Sequence, residues 1–167
     1  MVDSSAAIRR GHPAIFGLLA FVSFIVAVIA STLTTDFNNK GNAQSSAITG
    51  AVRYSVFVGW WTFLFSIVYL VLFLVGKGGV VTSIAGHAIW IVLTWIFFLA
   101  GAGAVTGSMH GAQNCSTSDL RYCGSMEALM AFSWIAWIIL TGMLAMVIVI
   151  GGGAFRGGRT FKEGLNA

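Results

Sequence analysis

Four long runs of apolar residues, separated by short polar segments, dominate the hydrophobic pattern of this chain. They cover residues 13–33, 54–75, 84–105 and 126–150. Each run supplies the roughly 20 residues that a helix needs to cross the hydrocarbon core of a bilayer. The runs are continuously apolar and do not alternate with period two, so the pattern predicts helices and excludes a β-barrel. Because little chain is left for connections, we predict an all-α membrane protein with an antiparallel four-helix transmembrane bundle.

The polar segments give the remaining organisation of the chain. Residues 1–12 form a short segment before the first span, and residues 151–167 form a glycine-rich basic tail. The first outer loop, residues 34–53, is too polar to lie in lipid, although apolar residues at helical spacing in its second half predict that the second helix begins before the membrane. A tight glycine-rich turn at residues 76–79 predicts that spans two and three form a helical hairpin.

Composition agrees with a membrane protein. Hydrophobic residues make up 57% of the 167-residue chain and charged residues only 8%, which leaves too little polar surface for a soluble domain. Arg9 and Arg10 before the first span resemble the start of a secretory signal. The apolar run that follows is longer than the ~7–15 residues of a signal core, so we interpret it as an uncleaved signal anchor.

The orientation follows from the basic residues, which resist translocation when they lie near a span. The predicted spans place six of the nine on one side: Arg9, Arg10, Lys77, Arg156, Arg159 and Lys162. The other side holds Lys40, Arg53 and Arg121, mixed with acidic residues. We therefore expect both termini to be cytoplasmic.

Cys115 and Cys123, the only cysteines, lie in the connection that the charge distribution places outside. A thiol pair in an oxidising compartment favours a disulfide that closes a short loop. A metal site is a weaker alternative because it needs more ligands, and a redox pair usually has the spacing C-x-x-C. Asn114 begins a glycosylation sequon, but its position in the closed loop beside the membrane argues against use.

The spans lack the residues that chemistry inside a membrane requires. No Asp, Glu, Lys, Arg or His lies within the apolar core, and the three histidines are isolated near span ends. We therefore predict no catalytic residues, no metal site and no cofactor. The polar residues in the core are hydroxyls that we expect to bond backbone carbonyls or neighbouring helices: Ser23, Thr62, Ser66, Thr94 and Ser133.

A stripe of small residues follows the third span. It consists of Ala100, Gly103, Ala104, Gly107 and Gly111. Such a stripe lets two helix backbones approach closely, and we favour packing inside the monomer slightly over a contact between subunits.

The tail after the fourth span is a candidate for contact with lipid headgroups. Arg156, Arg159 and Lys162 can attract anionic lipid headgroups, each contributing about 1 kcal/mol near the surface. The same charges also hold the C-terminus inside.

Several local motifs carry a resemblance to a known family. They are Gly59-Trp60-Trp61-Thr62 with Tyr69 in span two, Trp95 to Gly103 (WIFFLAGAG) in span three, Ala131 to Trp137 (AFSWIAW) in span four, and the pair Cys115 and Cys123. The arrangement resembles the MARVEL-domain tetraspan proteins, especially small fungal members related to the non-classical export proteins of plasma-membrane microdomains.

The resemblance implies a non-enzymatic protein that organises lipid and protein into microdomains, shapes curvature or assists membrane traffic. On this basis we expect contacts with membrane lipids, including anionic lipid and sterol, and a homo-oligomer, with no nucleic acid as partner. We expect a multi-pass protein of the plasma membrane, with another secretory-pathway membrane as the alternative. The competing hypotheses are an accessory subunit of a larger membrane complex and, with less support, a channel or transporter.

Overall fold

The computed structural model describes residues 4–75 and 84–156, which fold into four helices. They are α1 (Ser4–Lys40), α2 (Ser46–Val75), α3 (Ile84–Ser108) and α4 (Cys123–Arg156). No strand occurs within these two ranges. Each helix contains a stretch long and apolar enough to cross a membrane, so the prediction of a multi-pass, all-helical membrane protein is confirmed. The predicted turn at residues 76–79 lies outside the described residues.

The helices extend beyond the apolar runs, and the first connection is shorter than predicted. The predicted loop at residues 34–53 is mostly helical, and only residues 41–45 join α1 to α2. Backbone hydrogen bonding continues wherever a helix can pair its own groups, in water as in lipid, so hydropathy does not mark the helix ends. Gly41 ends α1 with a φ of 56°, and the Ser45 hydroxyl accepts a 3.1 Å hydrogen bond from the Ile48 N–H at the start of α2.

In each pair of successive helices the contacting residues follow opposite sequence order: later residues of one helix contact earlier residues of the next, and earlier residues contact later ones. Between α1 and α2 they are Asn38 with Arg53, Ser31 with Trp60, and Phe16 with Tyr69. Between α2 and α3 they include Phe57 with Phe97 and Tyr69 with Trp90. Between α3 and α4 they include Trp95 with Trp137 and Thr106 with Trp134. Gln113, in the connection after α3, also bonds Glu127 of α4. Phe37 near the end of α1 also contacts Tyr122, which precedes α4.

Each helix turns one face into the bundle. On α1 this face recurs every three or four residues, at Leu19, Val22, Val26, Ala30, Leu33 and Phe37. Equally apolar side chains between them, such as Leu18 and Phe21, are 50% and 63% exposed. The outer face therefore offers hydrocarbon to lipid, while packing inside the bundle selects the inner face.

Candidate functional site: the lipid-facing surface and the outer cap

The lipid-facing surface is made of large apolar side chains from all four helices. The most exposed of them include Phe21, Leu64, Leu74, Ile89, Ile138, Ile148 and Val149. Aromatic rings on α1, α2 and α3 add a broad patch in which Phe24 contacts Trp60 and Phe63, and Phe57 contacts Trp61 and Phe97. A soluble protein would have to cover such a surface, whereas lipid tails solvate it without cost.

Three tryptophans connect neighbouring helices through hydrogen bonds. The Trp60 indole N–H donates to the Ser31 hydroxyl at 3.3 Å and joins α2 to α1. The Trp134 indole donates to the Thr106 hydroxyl at 3.0 Å. A third bond of the same kind joins the Trp95 indole to the Thr141 hydroxyl at 2.9 Å. The first bond supplies directional attraction between α1 and α2, and the other two supply it between α3 and α4, where apolar contact alone gives little preference over lipid.

The buried hydroxyls divide into two groups. Ser23 and Ser133 bond backbone carbonyls of their own helices, as predicted; the Ser133 bond to the Leu129 carbonyl is 2.7 Å long. For Thr62, Ser66 and Thr94 that prediction is wrong, because their hydroxyls are buried without a hydrogen-bond partner among the described residues. Their positions on the inner face leave them between helices.

The small-residue stripe on α3 lies on the outside of the bundle. Ala100, Gly103, Ala104 and Gly107 are exposed, and a Cβ atom built on Gly103 or Gly107 would meet nothing within 4 Å. The favoured interpretation, packing inside the monomer, is therefore wrong for these positions, since the buried face of α3 carries other residues, among them Phe98, Gly101 and Ala102. Gly111 lies beyond α3 with a φ of 92°, so its role is the turn that ends the helix.

The close helix approach occurs at Gly59, which the sequence pattern marks only as part of the motif Gly59-Trp60-Trp61-Thr62. A Cβ on Gly59 would lie 2.7 Å from the backbone nitrogen and 2.8 Å from the Cα of Ala27. The backbones of α1 and α2 therefore touch here with no room for a side chain. A single glycine within a bulky aromatic segment is the signal that could have identified it.

The outer cap, named for the side on which the basic residues predict it to lie, consists of residues 36–45 and 109–127, where the two connections meet. Cys115 and Cys123 form a disulfide with their Cα atoms 5.6 Å apart, which confirms the predicted pairing. The Gln44 side chain bridges the two connections: its amide donates to the Asp119 carbonyl at 2.8 Å, and its oxygen accepts from the Arg121 N–H at 3.2 Å. The cap is thus held covalently within one connection and by hydrogen bonds between the two.

Tyr122 is the centre of the cap. Its hydroxyl oxygen accepts hydrogen bonds from Lys40 at 3.0 Å and Asn42 at 3.3 Å, and its ring contacts Phe37. The hydrogen bond from Asn42, followed by the one from Lys40, lowers the pKa of Tyr122 below its ordinary value because both favour the phenolate. Tyr122 also has a φ of 57°, uncommon for a side chain of this size.

Glu127 adds a carboxylate beside the disulfide. It lies with the two sulfur atoms in a group spanning 4.8 Å, a separation compatible with metal ligation. The sulfurs are bonded to each other and supply no thiolate, and the Glu127 carboxylate accepts a 2.8 Å hydrogen bond from the Gln113 N–H. This arrangement supports a structural role for the cap rather than a metal centre.

The residues of the tail that are predicted to contact lipid headgroups lie at or beyond the end of α4. Arg159 and Lys162 lie outside the described residues, and Arg156 is the last residue of α4. Their contact with anionic lipid stays a prediction.

Comparison with known proteins agrees with the geometry. Residues 13–146, more than half of the chain, match the model of MARVEL, a membrane-associating domain. No curated protein matched the chain. The matched segment contains all of the outer cap and most of the membrane-facing surface.

Proposed function

Because this chain belongs to the MARVEL family of membrane-associating domains, we propose that it organises lipids and proteins within the membrane without catalysing a reaction. In this proposal the molecule acts through its lipid-facing surface and through self-association. We further infer that it belongs to the plasma-membrane microdomain type that includes the fungal export-related proteins. The observation that carries the proposal is the exposed small-residue stripe on α3 within an otherwise bulky apolar surface.

The stripe suits contact with a second helix. Ala100, Gly103, Ala104 and Gly107 are exposed, so another helix can approach the backbone of α3 without displacing any side chain of the bundle. Close backbone approach compensates for the absence of a hydrophobic driving force in lipid. A second copy of this chain is the occupant that we favour, and a different subunit of a larger complex is the alternative.

We infer an antiparallel bundle with both termini on the cytoplasmic side. The opposite sequence order of the contacts between successive helices supports the antiparallel order. The basic residues before α1 and after the fourth span support the orientation, as does the disulfide, which forms in oxidising compartments. The plasma membrane is the location that we propose.

The apolar interior argues against transport. Each buried polar side chain of the core is a neutral hydroxyl, and charged residues of the described helices lie near helix ends, as with Asp36, Arg53 and Glu127. Desolvating an ion among these helices would cost several kcal/mol without charged groups to compensate. We therefore propose that the molecule forms no solute pathway.

The proposal is tested by reconstituting the purified protein at low density into liposomes. We expect clusters in single-molecule photobleaching, clustering of lipid, and membranes that stay tight to small ions and metabolites. Gly103→Leu combined with Gly107→Leu should reduce clustering while leaving the monomer folded. Gly142→Leu is the matched control, because Gly142 on α4 is also exposed with open space beside it.

Two results would contradict the proposal. Saturable solute flux would raise the transporter hypothesis above it. If the protein stays monomeric in every lipid composition, including anionic lipid and sterol, the result would favour the hypothesis that it is an accessory subunit that needs a different partner.

A further inference from the structure

The disulfide of the outer cap closes a loop, residues 115–123, to which the first connection is hydrogen-bonded. We call this segment the cap loop. Four hydrogen bonds join it to residues 40–44. Their partners within the cap loop are Asp119, Arg121 and Tyr122. One covalent bond therefore constrains the segment through which the two connections are hydrogen-bonded to each other.

Tyr122 precedes Cys123 in a backbone conformation that a bulky side chain rarely adopts. Its φ is 57°, and such a residue costs free energy unless the surrounding structure holds it in place. The disulfide fixes the residue that follows it. The contact with Phe37 and the hydrogen bonds to the phenol oxygen fix its side chain. Without the covalent bond, the side chain of Tyr122 alone must maintain this conformation.

The hydrogen bonds between the connections are weak constraints by comparison with the disulfide. Lys40, Gln44 and Arg121 are exposed, so water competes with their partners for the same donors and acceptors. Opening the disulfide returns to the cap loop the conformational freedom that loop closure removes. The exposed hydrogen bonds would then have to offset this entropy. We therefore expect the contact between the connections to depend on the disulfide.

The two sulfur atoms differ in their access to solvent. Cys115 is exposed, whereas Cys123 is only 7% exposed. A water-soluble thiol can approach the Cys115 sulfur from outside, and exposed disulfides are more readily reduced than enclosed ones. The Glu127 carboxylate lies within 4.8 Å of both sulfurs. It therefore places a hydrogen-bond acceptor close to the thiols that reduction would produce.

We propose that the Cys115–Cys123 disulfide is a reducible site whose oxidation state controls the contact between the two connections of the outer cap. When it is reduced, the cap loop separates from residues 40–44. The chemical partner is a small dithiol. This inference concerns the cap and does not rest on the proposed self-association.

The reaction is thiol–disulfide exchange in two steps. A thiolate of the dithiol attacks the Cys115 sulfur, the S–S bond breaks, and the Cys123 sulfur leaves and takes up a proton. The second thiol of the reductant then attacks the mixed disulfide and releases Cys115. The dithiol ends as a cyclic disulfide, and its two electrons and two protons end on the two cysteine thiols.

The test measures backbone amide exchange by NMR in the purified protein, held in phospholipid nanodiscs, before and after treatment with dithiothreitol. Labelling of both thiols confirms complete reduction. The Arg121 N–H, which donates to the Gln44 side chain in the oxidised protein, should exchange about tenfold faster after reduction. The Thr49 N–H bonds the Ser45 carbonyl outside the cap loop and should not change. Reoxidation with oxidised glutathione should restore slow exchange at Arg121.

Two variants make the measurement specific. Gln44→Ala removes the acceptor of the Arg121 N–H and keeps the disulfide, so it gives the exchange rate of the open contact. Cys115→Ala combined with Cys123→Ala should exchange at that rate with or without dithiothreitol. If the double variant does not fold, reduction of the wild-type protein still decides the question.

Three results overturn the proposal. The first is a disulfide that dithiothreitol reduces only after the protein is unfolded. The second is slow exchange at Arg121 after complete reduction, because the noncovalent contacts then hold the cap loop by themselves. The third is an equal rise at Thr49, because reduction then unfolds the start of α2 rather than releasing one loop. Each of these results is independent of whether the protein forms clusters.

Discussion

Replacement of Gly59 by alanine should weaken the contact between α1 and α2 more than any other glycine substitution in the described spans. The added Cβ would lie 2.7, 2.8 and 2.9 Å from the nitrogen, Cα and Cβ atoms of Ala27. These distances are well inside van der Waals contact, and two of the atoms belong to the backbone. No side chain can rotate away to make room, so the two helices must separate.

The magnitude follows from two opposing effects. Overpacking of this kind costs about 1–3 kcal/mol, whereas alanine in place of glycine favours the helix by about 1 kcal/mol. Gly142→Ala experiences only the second effect, because nothing lies within 4 Å of its added Cβ and Gly142 is not part of the stripe on α3. The difference between the two variants therefore isolates the clash. We expect Gly59→Ala to be less stable than Gly142→Ala by about 1–3 kcal/mol.

The assay is reversible unfolding of the purified protein in mixed micelles with increasing detergent denaturant, followed by tryptophan fluorescence. Separation of the helices should also lengthen the 3.3 Å bond from Trp60 to Ser31, one residue from the substitution. Gly59→Val, which adds more volume at the same place, should be worse than Gly59→Ala. Equal stability of Gly59→Ala and Gly142→Ala would refute the reasoning, because it would mean that the backbones of α1 and α2 do not touch.

Two further predictions concern the outer cap. Replacing Cys115 and Cys123 by alanine should lower the free energy of unfolding by roughly 2–3 kcal/mol, as expected for a loop of this length. Thiol labelling of the denatured wild-type protein should require reductant. Labelling without reductant would show that the disulfide is absent. The lowered pKa of Tyr122 predicts phenolate absorbance at lower pH than in an ordinary tyrosine. Ionisation then adds stability that is fully present above the unfolded-state pKa of about 10 and is lost as the pH falls through the folded-state value. Asn42→Ala should raise the pKa of Tyr122, because it removes a hydrogen bond that favours the phenolate. Tyr122→Phe is the control that identifies which part of the absorbance change comes from Tyr122. An unchanged titration curve in Asn42→Ala would contradict the assignment.

The cap illustrates what spacing and chemistry can predict. The two cysteines lie in one short polar connection, so their pairing followed from the compartment and the loop. The contact of Tyr122 with Lys40 and Asn42 did not follow, because 80 or more residues separate the partners along the chain. Only the meeting of the two connections brings these groups together.

The glycines illustrate the opposite case. Spacing singled out Gly103 and Gly107, yet both face outward, and the glycine at the helix contact is Gly59. The same ambiguity affected the hydroxyls, of which Ser133 bonds its own helix while Thr94 does not. Local periodicity identifies residues that can sit in an interface, but it does not identify the interface.

By itself, the sequence determined the number of spans, their helical form and the chemistry of the outer connection. The tertiary structure decided which face of each helix lies inside, which glycine permits close approach and which hydroxyls remain unpaired. The physical reason is that lipid is as apolar as the interior of the bundle. In water, a helix shows its buried face by where its apolar residues lie, whereas here Leu18 and Leu19 are equally apolar and only one is buried. Side-chain shape and hydrogen bonding then select the contact, and both depend on the neighbouring helix.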